Sequence, residues 1–476
     1  MPLPNTPRNQ RTSMTRPHFR NCLAALLLLC AGTATSLDLL AVGGEHWIAT
    51  WGTAQQLTAT NAQGGPGGRT NVPPAPSQGG AMPTAIAQSA QAPPLLDPQN
   101  GRGPAPMAPP AVGPPRAYLP ATFEDQTVRM IIRVSVGGQR VRVSLSNMLG
   151  AEPLVIGAAR IGLHQGAGVV TPGADREITV NGQRSFTVTA GALTVSDPLT
   201  LNVPSLAELA VSLYLPTTTG PPTNHPVSLQ TAYIAKGNHV ANERVPTETT
   251  TTAYLWLSDV DVEAPDDAFT VVALGDSITD GFATTHGKNR AWPTLLAERL
   301  AANRRTRRVA VINQGISGNQ VLRSGAGLSM LARLDRDVLS RPGARWVILL
   351  GGINDINFRG RPGSTTPLAP EELIGGYRQI ITRCHGRGIK VMGATLTPQE
   401  GLTVATARSE QVRQDVNRWI RTSGEFDAVV DFDAALRVPS RPARLRPEFD
   451  PGDFLHPNDR GNQAMAEAFE LQAFMR

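Results

Sequence analysis

Apolar residues recur with two different periods along this chain, and the change falls near residue 265. Between 117 and 262 short runs alternate apolar and polar positions, as in Val141-Arg142-Val143-Ser144-Leu145-Ser146. That period of two is the mark of a strand with one buried face. Val128–Val136, Arg184–Val188, Leu209–Leu215 and Ala253–Val262 read as further strands, with turns rich in Gly, Pro and Asn between them and no long helical period. The pair Gly137-Gly138 between two strand-like runs predicts a hairpin. The whole stretch predicts an all-β sandwich of jelly-roll type.

From 268 onward continuous apolar runs alternate with helical patterns. The predicted strands are Thr270–Leu274, Val309–Asn313, Arg345–Leu350, Lys390–Ala394 and Ala428–Asp431. The predicted helices are Trp292–Asn303, Ser329–Leu339, Pro370–Arg387, Thr406–Arg421 and one starting near Asn458. In the fourth of these, Val412, Val416, Trp419 and Ile420 fall on one stripe. Repeated strand–helix units predict an α/β domain, with a parallel sheet covered on both faces. Function in such sheets sits beyond the carboxyl ends of the strands.

Upstream, His46–Gly52 reads as a first strand. Asn61–Arg116 then carries 14 Pro and 9 Gly in 56 residues, with no aromatic residue and four charges. Such a segment cannot bury enough apolar surface to offset its ordering entropy, which predicts a disordered insertion. The N-terminus has Arg8, Arg11, Arg16 and Arg20, then the apolar stretch Cys22–Ala31, then small residues up to Ser36. An apolar stretch that short does not span a bilayer, so the pattern predicts a cleaved export signal and no stable membrane anchor. The expected division is therefore 1–36 signal peptide, 37–60 first strand, 61–116 insertion, 117–265 β-sandwich and 266–476 α/β domain, in a secreted or periplasmic protein.

Charge adds little. The formal net charge of +6 includes the four arginines of the signal, and nothing in the remainder points to a nucleic-acid partner. Of three cysteines, two lie in the signal; Cys384 falls in a helical pattern as a core residue and has no partner for an intramolecular disulfide. No metal-ligand cluster or phosphate loop is legible, so neither metal nor cofactor is expected.

The chemistry lies at four places. Leu274-Gly275-Asp276-Ser277-Ile278-Thr279-Asp280-Gly281 puts a serine on a turn directly after a buried strand. Ile316-Ser317-Gly318-Asn319 and Gly351-Gly352-Ile353-Asn354-Asp355 each follow a strand-like run. Asp453-Phe454-Leu455-His456 supplies a carboxylate and an imidazole three residues apart in the loop before the final helix. Taken singly, each reads most simply as a turn serine, a turn glycine, an Asx-turn asparagine or a surface histidine. A nucleophile, a base and an orienting acid together are the minimum for acyl transfer by a serine enzyme.

The four segments in this order resemble the SGNH (GDSL-type) hydrolase family, and the resemblance covers 268–476. It implies a flavodoxin-like three-layer domain with Ser277 as nucleophile, His456 as base and Asp453 as its orienting acid. It also implies an oxyanion hole from the Ser277 and Gly318 backbone amides and the Asn354 side chain. Asn289-Arg290-Ala291-Trp292-Pro293 and Gly393-Ala394-Thr395-Leu396-Thr397-Pro398 look similar to secreted two-part esterases related to xylan-associated acetyl and aryl esterases. The expected activity is hydrolysis of short-chain acyl esters on carbohydrates or small alcohols. A lipid esterase or lysophospholipase, and an inert carbohydrate-binding envelope protein, are the alternatives.

Overall fold

A computed structural model describes Met1, residues 45–57 and 119–360, Ser364, and residues 366–475. The expected signal at 1–36 and the insertion at 61–116 lie outside the described residues, Met1 aside. The chain divides into two units, Met1–Glu45 and His46–Arg476, and the second holds every element described here.

Five parallel strands form the centre of the α/β part. Across the sheet they run Val309–Gly315, Phe269–Gly275, Ala344–Leu350, Lys390–Ala394 and Ala428–Val430. In chain order this is 2-1-3-4-5. The chain leaves the Phe269–Gly275 strand to one side and returns on the other, so the loops after neighbouring strands diverge and leave a crevice. Every residue of Phe269–Gly275 is buried, as a strand covered on both faces requires. Helices Trp292–Ala302, Pro370–His385, Ala407–Thr422 and Asp459–Glu467 supply the cover. Val412, Val416 and Ile420 are buried, while Trp419 is partly so and stacks on Tyr377 with ring centroids 6.0 Å apart. Cys384 is a free thiol in this core, and burial pushes its pKa up to about 12.

Local chemistry sets the helix ends. Thr406 caps its helix by accepting from the Ser409 amide, and Asn458 accepts from the amides of Arg460 and Gly461. The expected helix over 329–339 forms as an α-helix, Met330–Leu334, that runs into a π-helix, Asp335–Leu339. Arg333, with no side-chain exposure, pairs there with the equally buried Asp337 at 2.9 Å. Three short helices have no counterpart in the expectation: Ser277–Asp280, Ile353–Gly360 and Phe432–Leu436. Each starts within two or three residues of a strand end and is too short to show a helical period. Asp276 and Asp431 cap two of them.

The earlier part is antiparallel. One sheet runs Trp47–Gly52, Leu257–Glu263, Gly138–Ser146 and Leu199–Val203, with Leu193–Val195 also on Gly138–Ser146. Another runs Thr249–Thr251, Ala232–Lys236, Gln126–Arg133, Glu208–Leu215, Ala158–His164 and Val170–Glu177. A small third sheet joins Tyr254–Leu255, Thr223–His225 and Gln56–Leu57. Val141, Val143, Val260 and Val262 of the first sheet share one buried cluster with Val128, Met130, Val211 and Leu213 of the second.

The expected hairpin at Gly137-Gly138 does not form. Gln126–Arg133 pairs with Glu208–Leu215 and Ala232–Lys236, while Gly138–Ser146 lies in the other sheet. The glycine has a different use. A Cβ on Gly137 would sit 2.1 Å from the Val203 carbonyl oxygen, so the chain crosses between sheets where only glycine fits.

The two parts are closely joined. The Ala49 amide donates to the Pro342 carbonyl at 2.9 Å, and the Thr270 hydroxyl donates to the Ala49 carbonyl at 2.8 Å. Arg341 pairs with Asp259, and the Val311 amide donates to the Ser135 hydroxyl at 3.0 Å. Ala49 belongs to the core of the parallel sheet, and Ala310 to that of the antiparallel sheets.

Candidate active site

Ser277 sits two residues beyond a buried strand that ends at Gly275, where the chain packs too closely for a Cβ. A Cβ on Gly275 would lie 2.0 Å from the Thr279 hydroxyl and 2.8 Å from the Leu350 carbonyl oxygen. Asp276 caps the single helical turn that follows by accepting from the Ile278 amide at 3.1 Å. Gly281, at φ 95°, ends it and donates to the Ser277 carbonyl at 3.0 Å. This left-handed position is where glycine carries no Cβ penalty.

Asp453 and His456 form a self-contained turn. One Asp453 oxygen accepts the amides of Leu455 and His456, each at 3.0 Å. The other lies 2.6 Å from His456 Nδ1. Phe454 between them takes φ 65°, a left-handed value that a bulky residue holds only when its surroundings over-determine it. Burial pushes the Asp453 pKa up, but the bond and charge of His456 outweigh it, and the carboxyl is held below its ordinary value. A carboxylate on Nδ1 assigns the ring proton to that nitrogen and leaves Nε2 as an acceptor. The Ser277 hydroxyl donates to Nε2 at 2.8 Å. The Phe282 ring packs on the imidazole with centroids 4.7 Å apart.

One carboxylate ties the first middle loop to the Ser277 turn, and another ties the two middle loops to each other. Asp280, in the same helical turn as Ser277, accepts the Ser317 amide at 3.0 Å and the Ser317 hydroxyl at 2.6 Å. Asp355 accepts the amides of Val321 and Leu322 at 2.8 and 2.9 Å. Asn354 donates through Nδ2 to the Asn319 carbonyl at 3.0 Å, which uses one of its two N–H groups and leaves the second. Gly318 takes φ 80°, outside the ordinary range of a residue with a Cβ. The structure thus joins Ser277, His456 and Asp453 directly. It also bonds Asn354 to the residue after Gly318, and Asp280 to the residue before it.

Three groups here had no sequence signal. Arg333, wholly buried, donates to the carbonyls of Gly275 and Gln314 and to the side chains of Asn319 and Asp337. It holds two strand ends and the Gly318 loop from beneath, whereas an arginine in a helical pattern reads as solvent-facing. His225, from the antiparallel part, reaches Asp280 Oδ1 at 2.9 Å. Asp276 is fully buried, and its pKa is pushed up to about 7, chiefly by burial, with the nearby carboxylates Asp355 and Asp280 adding to it.

Chemically the arrangement provides a hydroxyl whose proton has an acceptor, and an acceptor whose other nitrogen faces a carboxylate. Among the described residues no group of three or more His, Cys, Asp or Glu side chains is placed to share a metal ion. No helix of the described residues is long and apolar enough to cross a membrane.

Comparison with known proteins gives a family match over part of the chain. Residues 273–464 match the model of the GDSL-like Lipase/Acylhydrolase family. Among solved structures the chain is similar to a putative lipolytic protein of G-D-S-L family from Desulfitobacterium hafniense DCB-2. Identity there is 19% over 42% of this chain and 96% of that one, with a TM-score of 0.33. It is also similar to an acetylxylan esterase from Geobacillus stearothermophilus, at 22% identity over 42% and 92% of the two chains and a TM-score of 0.33. A third, an alpha/beta hydrolase enzyme from the metagenome of Lake Arreo, Spain, shares 25% identity over 44% and 96%, with a TM-score of 0.34. No curated protein matches the chain.

Proposed function

We propose that this chain, whose residues 273–464 form a GDSL-like lipase/acylhydrolase domain, hydrolyses short-chain acyl esters of carbohydrates or small alcohols through an acyl-enzyme at Ser277. Its class is carboxylic-ester hydrolase. The observation that carries the mechanism is the unbroken chain Ser277 Oγ to His456 Nε2 at 2.8 Å, and His456 Nδ1 to Asp453 at 2.6 Å.

In the proposed reaction the Ser277 oxygen attacks the ester carbonyl carbon as its proton passes to His456 Nε2. Asp453 holds the imidazole in the tautomer that accepts this proton and stabilises the imidazolium. The carbonyl oxygen becomes an oxyanion, to which the amides of Ser277 and Gly318 and the second N–H of Asn354 donate. Collapse expels the alkoxide, which takes the proton from Nε2 and leaves as the alcohol. Water then gives a proton to Nε2 as its oxygen attacks the acyl carbon, and collapse releases the acid and restores the Ser277 hydroxyl.

The preference for short acyl groups rests on the blocks Asn289–Pro293 and Gly393–Pro398, which resemble those of two-part carbohydrate esterases. Export to the periplasm or the exterior rests on the basic, apolar and small-residue order of residues 8–36. The antiparallel part, 117–265 together with Trp47–Gly52, is inferred to be a jelly-roll-type sandwich, since its two main sheets share one buried cluster. The α/β part is assigned to 266–476.

Hydrolysis of p-nitrophenyl acetate by the purified protein, and its loss in Ser277→Ala, tests the mechanism. Wild-type turnover in that variant refutes it. Acetylated glycans assayed against long-chain lipids test the substrate class, and a preference for the lipids refutes the short-chain reading.

A further inference from the structure

We propose that His225 is a positioning residue for acyl transfer: as an imidazolium it holds the Asp280 carboxylate, which fixes the Gly318 loop against the Ser277 turn. The proposal rests on the esterase reading of Ser277 and adds a contribution to the site from outside the matched residues 273–464.

His225 ends the strand Thr223–His225, which pairs with Gln56–Leu57 on one side and Tyr254–Leu255 on the other. Its side chain is 5% exposed and that of Asp280 is 3% exposed. Three acceptors surround the ring. The Ala54 carbonyl lies 2.8 Å from Nδ1. Asp280 Oδ1 and the Val227 carbonyl lie 2.9 and 3.1 Å from Nε2. Acceptors at both nitrogens require a proton on each, because a neutral imidazole donates from only one. Burial pushes the His225 pKa down, yet the Asp280 charge and the three hydrogen bonds outweigh it and the net direction is up.

The carboxylate of Asp280 is divided between two duties. Oδ1 faces His225, while Oδ2 accepts both the amide and the hydroxyl of Ser317. Asp280 is three residues after Ser277 in one helical turn, and Ser317 immediately precedes Gly318. One side chain therefore sets the distance between the nucleophile and a proposed oxyanion donor. The backbones touch at the same point: a Cβ on Gly315 would lie 2.4 Å from the Asp280 amide nitrogen. Of the side chains bonded to Asp280, only His225 carries a charge. Removing that charge leaves a buried carboxylate without its counter-ion, which is far less favourable than replacing both members of the pair. The carboxylate then takes up a proton or moves, and either change loosens the Ser317 anchor.

The reacting groups would all remain in His225→Ala, so the loss is one of alignment. A displacement of about 1 Å is enough to slow a reaction roughly 10²-fold. The expected result is a fall in kcat for p-nitrophenyl acetate of about 10- to 100-fold, with KM changed much less. The rate of Ser277 labelling by a fluorophosphonate falls in parallel. His225→Gln, which returns one N–H donor without the charge, recovers part of the rate. Ser317→Ala, which removes one of the two bonds to Asp280, lowers kcat less. The double variant His225→Ala/Ser317→Ala falls short of the product of the single effects, because both act through Asp280. If His225→Ala does not fold, His225→Gln and Ser317→Ala carry the same comparison.

A His225 variant with lowered thermal stability but wild-type kcat and labelling rate overturns the proposal. So does full additivity with Ser317→Ala. Ser277→Ala run alongside separates the two readings. If it is inactive while the His225 variants match wild type, only this proposal falls. If it matches wild type, the site reading falls and this one with it.

Discussion

Asn354→Ala should separate catalysis from stability more cleanly than any other single change at this site. The side chain has two N–H groups, and one of them donates to the Asn319 carbonyl at 3.0 Å. Losing that bond leaves a buried carbonyl unmet and costs about 1–3 kcal/mol of folding free energy. The second N–H is the proposed oxyanion donor. Losing a donor used mainly in the transition state costs about 2.7–4 kcal/mol, or roughly 10²- to 10³-fold in kcat. The two losses fall on different measurements. The catalytic one is read from initial rates on p-nitrophenyl acetate at varied substrate concentration, the structural one from urea unfolding. Ser277 should still react with a fluorophosphonate, though more slowly, since His456 and Asp453 are untouched. Asn354→Asp should be worse than alanine, because a carboxylate puts negative charge beside the developing oxyanion and opposes the Asn319 carbonyl. A rise in KM with kcat unchanged would sink the assignment and make Asn354 a ground-state binding residue.

Asp355→Asn should act in the opposite sense. It replaces an acceptor of the Val321 and Leu322 amides with a group that can accept through only one atom, so stability drops while kcat per folded molecule holds. A large fall in kcat with unchanged stability would count against this. Arg333→Met should destabilise the fold by about 1–3 kcal/mol in urea unfolding, because it removes buried hydrogen bonds to Asn319, Asp337 and the Gly275 and Gln314 carbonyls, while Asp337 keeps Arg336 and Arg341 as counter-charges; a loss below about 0.5 kcal/mol would show that the cluster relaxes without it. Burial raises the Asp276 pKa to about 7 from an ordinary 3.8, so across that window the folded chain keeps a proton that the unfolded chain has released. Its contribution to stability therefore falls as pH rises from 3.8 to about 7, and Asp276→Asn, which can still cap the Ile278 amide, should flatten the slope; identical slopes in both proteins refute the shift. Deleting residues 61–116 should leave the melting temperature and ester turnover nearly unchanged, since the segment lacks the apolar content to join a core and surface insertions cost little in closure entropy; a large drop would show that it is structural.

The inner strands of the parallel sheet were legible because they are buried on both faces, whereas the edge strand Ala428–Val430 leaves Val429 exposed. Val271, Val272, Ala273 and Leu274 form a continuous apolar run, and that run needs no knowledge of its neighbours. The same holds for Asp453 and His456, whose mutual bond closes within one short turn. The order of the four chemical segments along the chain was also enough to point to acyl transfer. What sequence could not supply were choices between distant partners. Gly137-Gly138 has the local signature of a hairpin, yet the flanking strands found better partners in two different sheets, and the glycine serves a crossing instead. Arg333 looks like a surface arginine until the ends of two strands and the Asn319 side chain converge on it beside Asp337 one turn along. His225 lies 55 residues before Asp280 in a segment of another character, and nothing local to either residue announces the pair. Periodicity records which face of an element is buried. Buried polar pairing is decided only when the elements pack, because the cost of an unmet charge exists only once water has been excluded.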